Sequence, residues 1–374
     1  VPLRDRPSVS PLRNHLRTEQ PQIKDAMNSS KQYKVAVVGA TGAVGEVMLS
    51  ILHERGFPAS EIIALASTRS AGGKVKFGNH DITVRDLASF DPVDIDIALF
   101  SAGGAVSKEF APKFAAAGAV VIDNSSAFRN DDDVPLVVSE VNPEATRERP
   151  RGIIANPNCS TMQLMVALKP LHDAAKIERI NIATYQSVSG TGQKALEELG
   201  RQTAGLLAFR DAEPDVYPVQ IAFNVIPHGG DFTENGYTTE EMKLVWETRK
   251  ILGDDSILVN ATVVRVPVFY GHSEAVAIET RDKLTAAHAR ELLEAAPGIE
   301  VVDEPRGGGY PTPVTHASGK DPVYVGRIRE DISHPLGLNL WVVADNIRKG
   351  AALNAVQIAE VLVADGLPSK AAHG

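Results

Sequence analysis

The sequence predicts an α/β protein in two parts. The first is a doubly wound parallel sheet, and the second is an α+β unit with a largely antiparallel or mixed sheet. Three observations carry this. A short apolar run near residue 34 leads through a glycine turn into an amphipathic helix, strand and helix signals then alternate to about residue 158, and beyond that longer alternating strands follow with fewer crossovers. A length of 374 residues suits two domains of ordinary size, and a hydrophobic fraction of 43% is enough to fill their cores.

Composition excludes several classes. A net charge of −9, from 38 basic and 47 acidic side chains, argues against a nucleic-acid partner. No apolar run reaches the roughly 20 residues a membrane span needs. One cysteine rules out a disulfide scaffold and fits a reducing cytoplasm, and the scattered histidines form no metal-ligand cluster, so no metal is expected. Residues 1–33, rich in Arg, Pro, Ser and Gln without apolar periodicity, are expected to be a disordered tail. They read either as a targeting segment or as a start set upstream of Met27. Residues 34–158, completed by 345–370, are expected to bind a dinucleotide, and residues 159–344 to carry catalysis and dimerisation.

The first strand is Lys34-Val35-Ala36-Val37-Val38. It ends in Gly39-Ala40-Thr41-Gly42-Ala43-Val44-Gly45, behind which Val44, Val47, Met48, Ile51 and Leu52 recur at helical spacing. This is the setting of a Rossmann-type dinucleotide-binding loop. Glycines admit a pyrophosphate to the backbone, and the helix N-terminus offers it free N–H groups. The spacing is G-x-x-G-x-x-G, so the motif draws its weight from its flanks. The second strand, residues 62–66, ends in Ser67-Thr68-Arg69-Ser70 with no carboxylate for a ribose 2′-hydroxyl. Hydroxyls and Arg69 suit a 2′-phosphate and favour NADP, although Arg69 also reads as a solvated loop residue. Strands at 95–100 and 119–122 flank a helix at 107–117, so residues 101–104 and 123–129 should border the ligand.

Asn156-Pro157-Asn158 ends another apolar strand and precedes Cys159. After it, Leu164, Met165, Leu168 and Leu171 mark a helical face. A thiol at a helix N-terminus favours the thiolate, which makes Cys159 a candidate nucleophile; a buried structural cysteine is the competing reading. The strand over 180–188 alternates and carries Gln186, whose buried amide needs partners. It leads through Ser187-Val188-Ser189-Gly190 into a helix with Leu196 and Leu199. Strands follow at 257–268 and 273–280, joined through Tyr270-Gly271-His272. Arg265, within a run of valines, either faces a pocket as a fork for a carboxylate or lies on a solvent face. His272 is one of ten histidines and is a possible acid–base group by position alone. Glycines 307–309 mark a loop, residues 338–344 a strand, and residues 349–364 a final helix expected to return to the first domain.

Taken in order, these motifs resemble the aspartate-semialdehyde dehydrogenase family from about residue 34 to 364. The further matches are Asp123-Asn124-Ser125-Ser126-Ala127-Phe128-Arg129, Glu240-Glu241-Met242-Lys243, and Arg265 followed seven residues later by His272. The resemblance implies reduction of L-4-aspartyl phosphate by NADPH to L-aspartate 4-semialdehyde and phosphate, in the biosynthesis of the aspartate family of amino acids. By the same resemblance Cys159 is the nucleophile, Gln186 orients the acyl group and His272 is the acid–base catalyst. Arg265 and Glu240 hold the substrate's carboxylate and amino group. Arg129, Asn158 and Lys243 bind phosphate. Ser189, Gly190 and Asn346 belong with the cofactor site, Asn346 near the nicotinamide. A cytoplasmic homodimer or dimer of dimers is implied as well. N-acetyl-glutamyl-phosphate reductase shares the chemistry, but its thiol is expected after a His-Pro-Gly turn, unlike Asn156-Pro157-Asn158. A non-catalytic NADP-binding paralogue is expected to lack Cys159 or His272, and both are present.

Overall fold

The structure, a computed structural model, describes residues 31–367 and Met27. Most of the expected tail and residues 368–370 of the expected C-terminal segment lie outside the described residues. Tyr33, placed in the tail on sequence grounds, is buried and opens the first strand; its hydroxyl donates to the Leu367 carbonyl at 3.0 Å.

Strand β1 (Tyr33–Val38) leads through the glycine turn into α1 (Ala43–Glu54) and β2 (Ala59–Ala66). A hairpin of β3 (Lys74–Phe77) and β4 (His80–Thr83), not anticipated from sequence, precedes the short β5 (Arg85–Asp86). Then come β6 (Ile97–Phe100), α2 (Gly104–Ala116), β7 (Val120–Asp123) and β8 (Ile153–Ala155). Six strands form one parallel sheet in the order β5-β2-β1-β6-β7-β8. Alternate residues of β1 serve two cores. Val35 and Val37 pack with Met48, Leu49 and Leu52 of α1, while Ala36 and Val38 pack on the side of Ala111 and Phe114 of α2. A strand buried on both faces reads as a continuous apolar run, which is why β1 was legible.

The second sheet is built differently. After α3 (Cys159–Ala175) come β9 (Ile177–Gln186), α4 (Gln193–Leu207), α5 (Thr239–Leu252), β10 (Leu258–Arg265), β11 (His272–Thr280) and α6 (Ala286–Ala295). β12 (Ile299–Val301), β13 (Val323–Glu330) and β14 (Gly337–Ala344) complete it. The order is β10-β9-β11-β14-β13-β12, with parallel pairs at both edges and antiparallel pairs between, a mixed sheet. β10 and β11 follow one another in sequence yet do not pair, because β9 lies between them.

Helix α3 packs on one face of this sheet. Met162, Leu164, Met165 and Leu168 share a core with Ile180, Ile182, Val276, Ile278 and Val342. It also meets α5 and α6, so it is buried nearly all round rather than on the single face its spacing suggested. The expected C-terminal helix is split into a π-helical turn, Arg348–Ala352, and α7 (Leu353–Ala364). α7 lies against α1, β6 and β7 of the parallel sheet.

Candidate active site

Two glycines of the first loop are forced by packing. A Cβ at Gly45 would stand 2.2 Å from the Gly39 carbonyl oxygen, and one at Gly39 would stand 2.9 Å from the Ser101 backbone. Gly39 also has φ +85°, a conformation glycine adopts without penalty. The loops after β1 and β6 thus meet where the strand order reverses, the usual ligand crevice of such sheets. Gly42 caps α1 without a side chain, and Thr41, Gly42 and Ala43 are exposed, with Val44 half-buried. The first N–H groups of the helix are therefore approached by backbone alone, which fits a dinucleotide pyrophosphate. Beyond β2, Ser67 and Arg69 are exposed and Ser70 is half-buried.

The turn that leads into Cys159 is held from three directions. Asn158 caps α3, its Oδ1 accepting from the Ser160 N–H at 3.0 Å. Its Nδ2 donates to Glu240 Oε2 at 2.9 Å, and its own N–H donates to Glu247 Oε2 at 2.7 Å. Glu247 is buried on α5 and also accepts from Arg129 Nη1 at 3.2 Å. Arg129 further donates to the carbonyls of Asn156 (2.9 Å) and Asn124 (3.0 Å). Lys243 donates to Glu240 one turn away. Glu240, Lys243 and Glu247 fall at i, i+3 and i+7, one helical face.

Arg265, Arg129, Lys243 and Glu240 all act on Cys159. The thiol is partly accessible, yet burial first and Glu240 second push it up to about 11. From sequence, the helix N-terminus was expected to favour the thiolate. In the structure Asn158 already takes one of those N–H groups, and burial outweighs the nearby cations. Burial also works against the Glu240 carboxylate, but Lys243, Arg129 and Asn158 hold it below its usual range. A further neighbour is Gly350 of the π-helical turn. A Cβ there would lie 2.8 Å from Cys159 Cβ, so only glycine lets this backbone reach the thiol.

Across the site, Gln186 Nε2 donates to Ser160 Oγ at 3.0 Å, on the residue after Cys159. Arg265 Nη1 donates to the Ser187 carbonyl at 2.9 Å, while its buried Nε has no partner among the described residues. An unpaired guanidinium N–H suits a carboxylate ligand. His272 is fully buried; its Nδ1 accepts from the Ser187 N–H at 3.0 Å, and its Nε2 is unpartnered among the described residues. Burial and then Arg265 hold the imidazole well below its ordinary pKa. Asn346 Oδ1 accepts from Ser187 Oγ (3.0 Å), Ser189 Oγ (3.1 Å) and the Gly271 N–H (2.9 Å), which ties the turn after β9 to the start of β11. Gly190 sits where an added Cβ would stand 3.2 Å from both His272 Nε2 and Arg265 Nη1.

The structure thus gathers Cys159, Asn158, Arg129, Glu240, Lys243 and Arg265 in one place, and His272, Arg265, Ser189, Gly190 and Asn346 in an adjoining one. Sequence reasoning missed Glu247, Ser187 and Gly350. Glu247 carried a signal in its helical spacing from Glu240. Among the described residues no group of three or more His, Cys, Asp or Glu is placed to hold a metal, and no helix is long and apolar enough to cross a membrane.

Comparison with known proteins follows the same division. Residues 34–149 match the family model described as the semialdehyde dehydrogenase NAD-binding domain, and residues 168–349 the one described as its dimerisation domain. An NAD(P)-binding domain of this class is therefore present. An aspartate-semialdehyde dehydrogenase of Legionella pneumophila is 62% identical over 334 residues, covering 89% of this chain and 96% of that one. The crystal structure of aspartate semialdehyde dehydrogenase II from Vibrio cholerae complexed with ASA superposes with a TM-score of 0.88 at 57% identity, over 90% of this chain and 100% of that one. The Candida albicans enzyme with NADP gives 0.70 at 27% identity, over 90% and 100%. The chain belongs to the aspartate-semialdehyde dehydrogenase family.

Proposed function

We propose that this protein reduces L-4-aspartyl phosphate to L-aspartate 4-semialdehyde, releasing phosphate, with NADPH as reductant. The observation that carries the reading is a lone cysteine at a helix N-terminus with Arg129, Lys243 and Arg265 around it in a chain of net charge −9. A substrate bearing a phosphate at one end and a carboxylate at the other calls for such cations.

In this reading Arg129, Asn158 and Lys243 bind the phosphoryl group. Arg265 takes the α-carboxylate with its unpartnered edge, and Glu240 takes the amino group. Cys159 Sγ attacks the acyl carbon, phosphate leaves and a thioester remains, with Gln186 orienting the acyl group and His272 serving the reacting oxygen. The nicotinamide ring, when bound, supplies hydride to the thioester carbon. Gly39, Thr41, Gly42, Ala43, Val44 and Gly45 would hold its pyrophosphate, and Ser189, Gly190 and Asn346 would border the ring. Ser67, Arg69 and Ser70 would receive a 2′-phosphate; the lack of an acid at the end of β2 supports NADP over NAD. Residues 34–158 with the C-terminal segment form the cofactor domain in this proposal, and residues 159–344 the catalytic domain. We extend it to a homodimer in the cytoplasm; the dimer is supported by the description of the matched second-domain family and by the Tyr185–Trp341 ring contact, with Tyr185 exposed, on the open face of the mixed sheet.

The test is phosphate-dependent reduction of NADP by L-aspartate 4-semialdehyde, with NAD and N-acetyl-glutamate semialdehyde as comparisons. Turnover of the first substrate with NADP supports the reading, and turnover of the N-acetylated substrate alone contradicts it.

A further inference from the structure

We propose that Glu274 and Gln163 form a neutral acid–amide pair inside the protein, and that this pair fixes the register of α3, and with it Cys159, on the mixed sheet. The pair itself does not depend on the acyl-phosphate reading; its effect on turnover rests on that reading.

The fold brings three polar side chains together. Thr184 on β9 and Glu274 on β11 stand directly opposite one another in the antiparallel pairing, so both lie on one face of the sheet. Thr184 shares that face with Gln186, two residues on, which donates to Ser160 Oγ of α3 at 3.0 Å. Gln163 lies three residues beyond Ser160, on the same side of the helix, and stands close enough to act on the Glu274 carboxyl. Thr184 and Glu274 are fully buried, and Gln163 is 1% exposed. Yet Thr184 Oγ1, both carboxyl oxygens of Glu274, and Oε1 and Nε2 of Gln163 meet no hydrogen-bond partner among the described residues. So many buried polar atoms at one spot are costly unless they pair with one another.

Counting donors decides how they pair. An ionised Glu274 only accepts. Gln163 Nε2 and the Thr184 hydroxyl could then donate to it, but Gln163 Oε1 would be left without a donor. A protonated Glu274 closes the set. Its O–H donates to Gln163 Oε1, Gln163 Nε2–H donates back to the other carboxyl oxygen, and the Thr184 hydroxyl donates as well. Gln163 from α3, Thr184 from β9 and Val342 from β14 face this carboxyl, and all are uncharged. His272, two residues back on β11, is itself held well below its ordinary pKa. Burial accordingly raises Glu274 well above the ordinary carboxyl range.

The consequence for the site follows from the place of the pair on α3. Cys159 opens this helix, and Ser160 and Gln163 belong to its first two turns. Much of the helix meets the sheet through apolar side chains, such as Met162 and Met165 in one core with Ile182 and Val276. Apolar contact is non-directional, so it buries the helix without setting its height or roll. The Gln186–Ser160 and Glu274–Gln163 links are directional and fall on successive turns, so together they set both. Fixing a register is the best-attested use of buried polar groups.

Two experiments test this. Infrared difference spectra at neutral pH, wild type against Glu274→Gln, should show the carbonyl stretch of a protonated carboxyl, and Gln163→Leu should move that band. A carboxylate band in its place, or a protonated band that Gln163→Leu leaves unmoved, would overturn the pair. In phosphate-dependent reduction of NADP with L-aspartate 4-semialdehyde, Gln163→Leu should lower kcat about tenfold or more, with the KM values nearly unchanged. Exchanging the two groups, Gln163→Glu with Glu274→Gln, rebuilds an acid–amide pair in reverse and should bring kcat back to within about threefold of wild type. Wild-type kcat in Gln163→Leu, or an exchange variant of native circular dichroism that stays as slow as Gln163→Leu, would show that the pair does not position Cys159. A wild type inactive on the semialdehyde would sink the acyl-phosphate reading instead, and the infrared result would still decide the pair.

Discussion

At the scale of single residues, the site is governed by what surrounds each charge. Cys159 is a thiol pushed up to about 11 by burial and Glu240. In the free protein its alkylation should therefore be slow at neutral pH and climb about tenfold per pH unit toward that value. An alkylation rate already level at neutral pH would show a thiolate instead. Gly350 lies so close to Cys159 that Gly350→Ala should cut kcat sharply and also lower the unfolding temperature, because the added methyl meets both Cβ and the backbone of Cys159 in a buried position. Glu247 anchors both Arg129 and the Asn158 N–H from a buried position. Glu247→Ala should raise the KM for phosphate and cost about 3–5 kcal/mol of stability by leaving Arg129 buried without its counter-charge. Calorimetry alongside phosphate titration would check both effects.

At the scale of elements, β11 and α3 show where sequence reading succeeded and where it stopped. The glycine loop, α1 and the start of α3 were legible because each joins a period change to a turn with a mechanism, as at Asn156-Pro157-Asn158 before Cys159. The hairpin β3–β4, helix α6 and strands β12 and β13 were not singled out; several are short and part-exposed, so their apolar pattern is weak. The order β10-β9-β11 was illegible for another reason: sequence neighbours suggest pairing, whereas β9 is inserted between them by non-local packing. Glu274 was invisible as a neutral group, because its state depends on burial between α3 and the sheet. There Thr184 and Val342 stand opposite it, and Gln163 approaches from one turn beyond Cys159. Its folded pKa is raised well above 4.5, so its contribution to stability is complete below about 4.5 and is lost as pH rises toward the folded value. Glu274→Gln, which keeps the shape of the neutral acid, should therefore be more stable than wild type at neutral pH, by a margin that widens with pH. Melting curves across pH that run parallel for the two proteins would refute this.

At the scale of the whole molecule, the cluster around Cys159 is assembled from segments far apart in sequence. Asn156 Nδ2 donates to Asn124 Oδ1 (2.6 Å) and to the Ala351 carbonyl (3.0 Å), and Asn354 Nδ2 donates to Asn156 Oδ1 (2.6 Å). The turn before Cys159 is thus braced by both the parallel sheet and the C-terminal segment. Lys349, fully buried, pairs with Glu140 at 2.5 Å and holds the π-helical turn that carries Gly350 to the thiol. None of these links is readable locally, since each partner sits in a different motif. On the cofactor side, Arg69→Ala should narrow the preference for NADP over NAD, through a higher KM for NADP with kcat nearly unchanged. In the proposed reaction Cys159, so braced, forms a thioester with the aspartyl group. The most direct measurement is the phosphate-dependent reduction of NADP with L-aspartate 4-semialdehyde, run in parallel on wild type and Cys159→Ala. Activity in the wild type and none in a folded Cys159→Ala is the expected result; equal rates in the two proteins would remove the thiol from the chemistry.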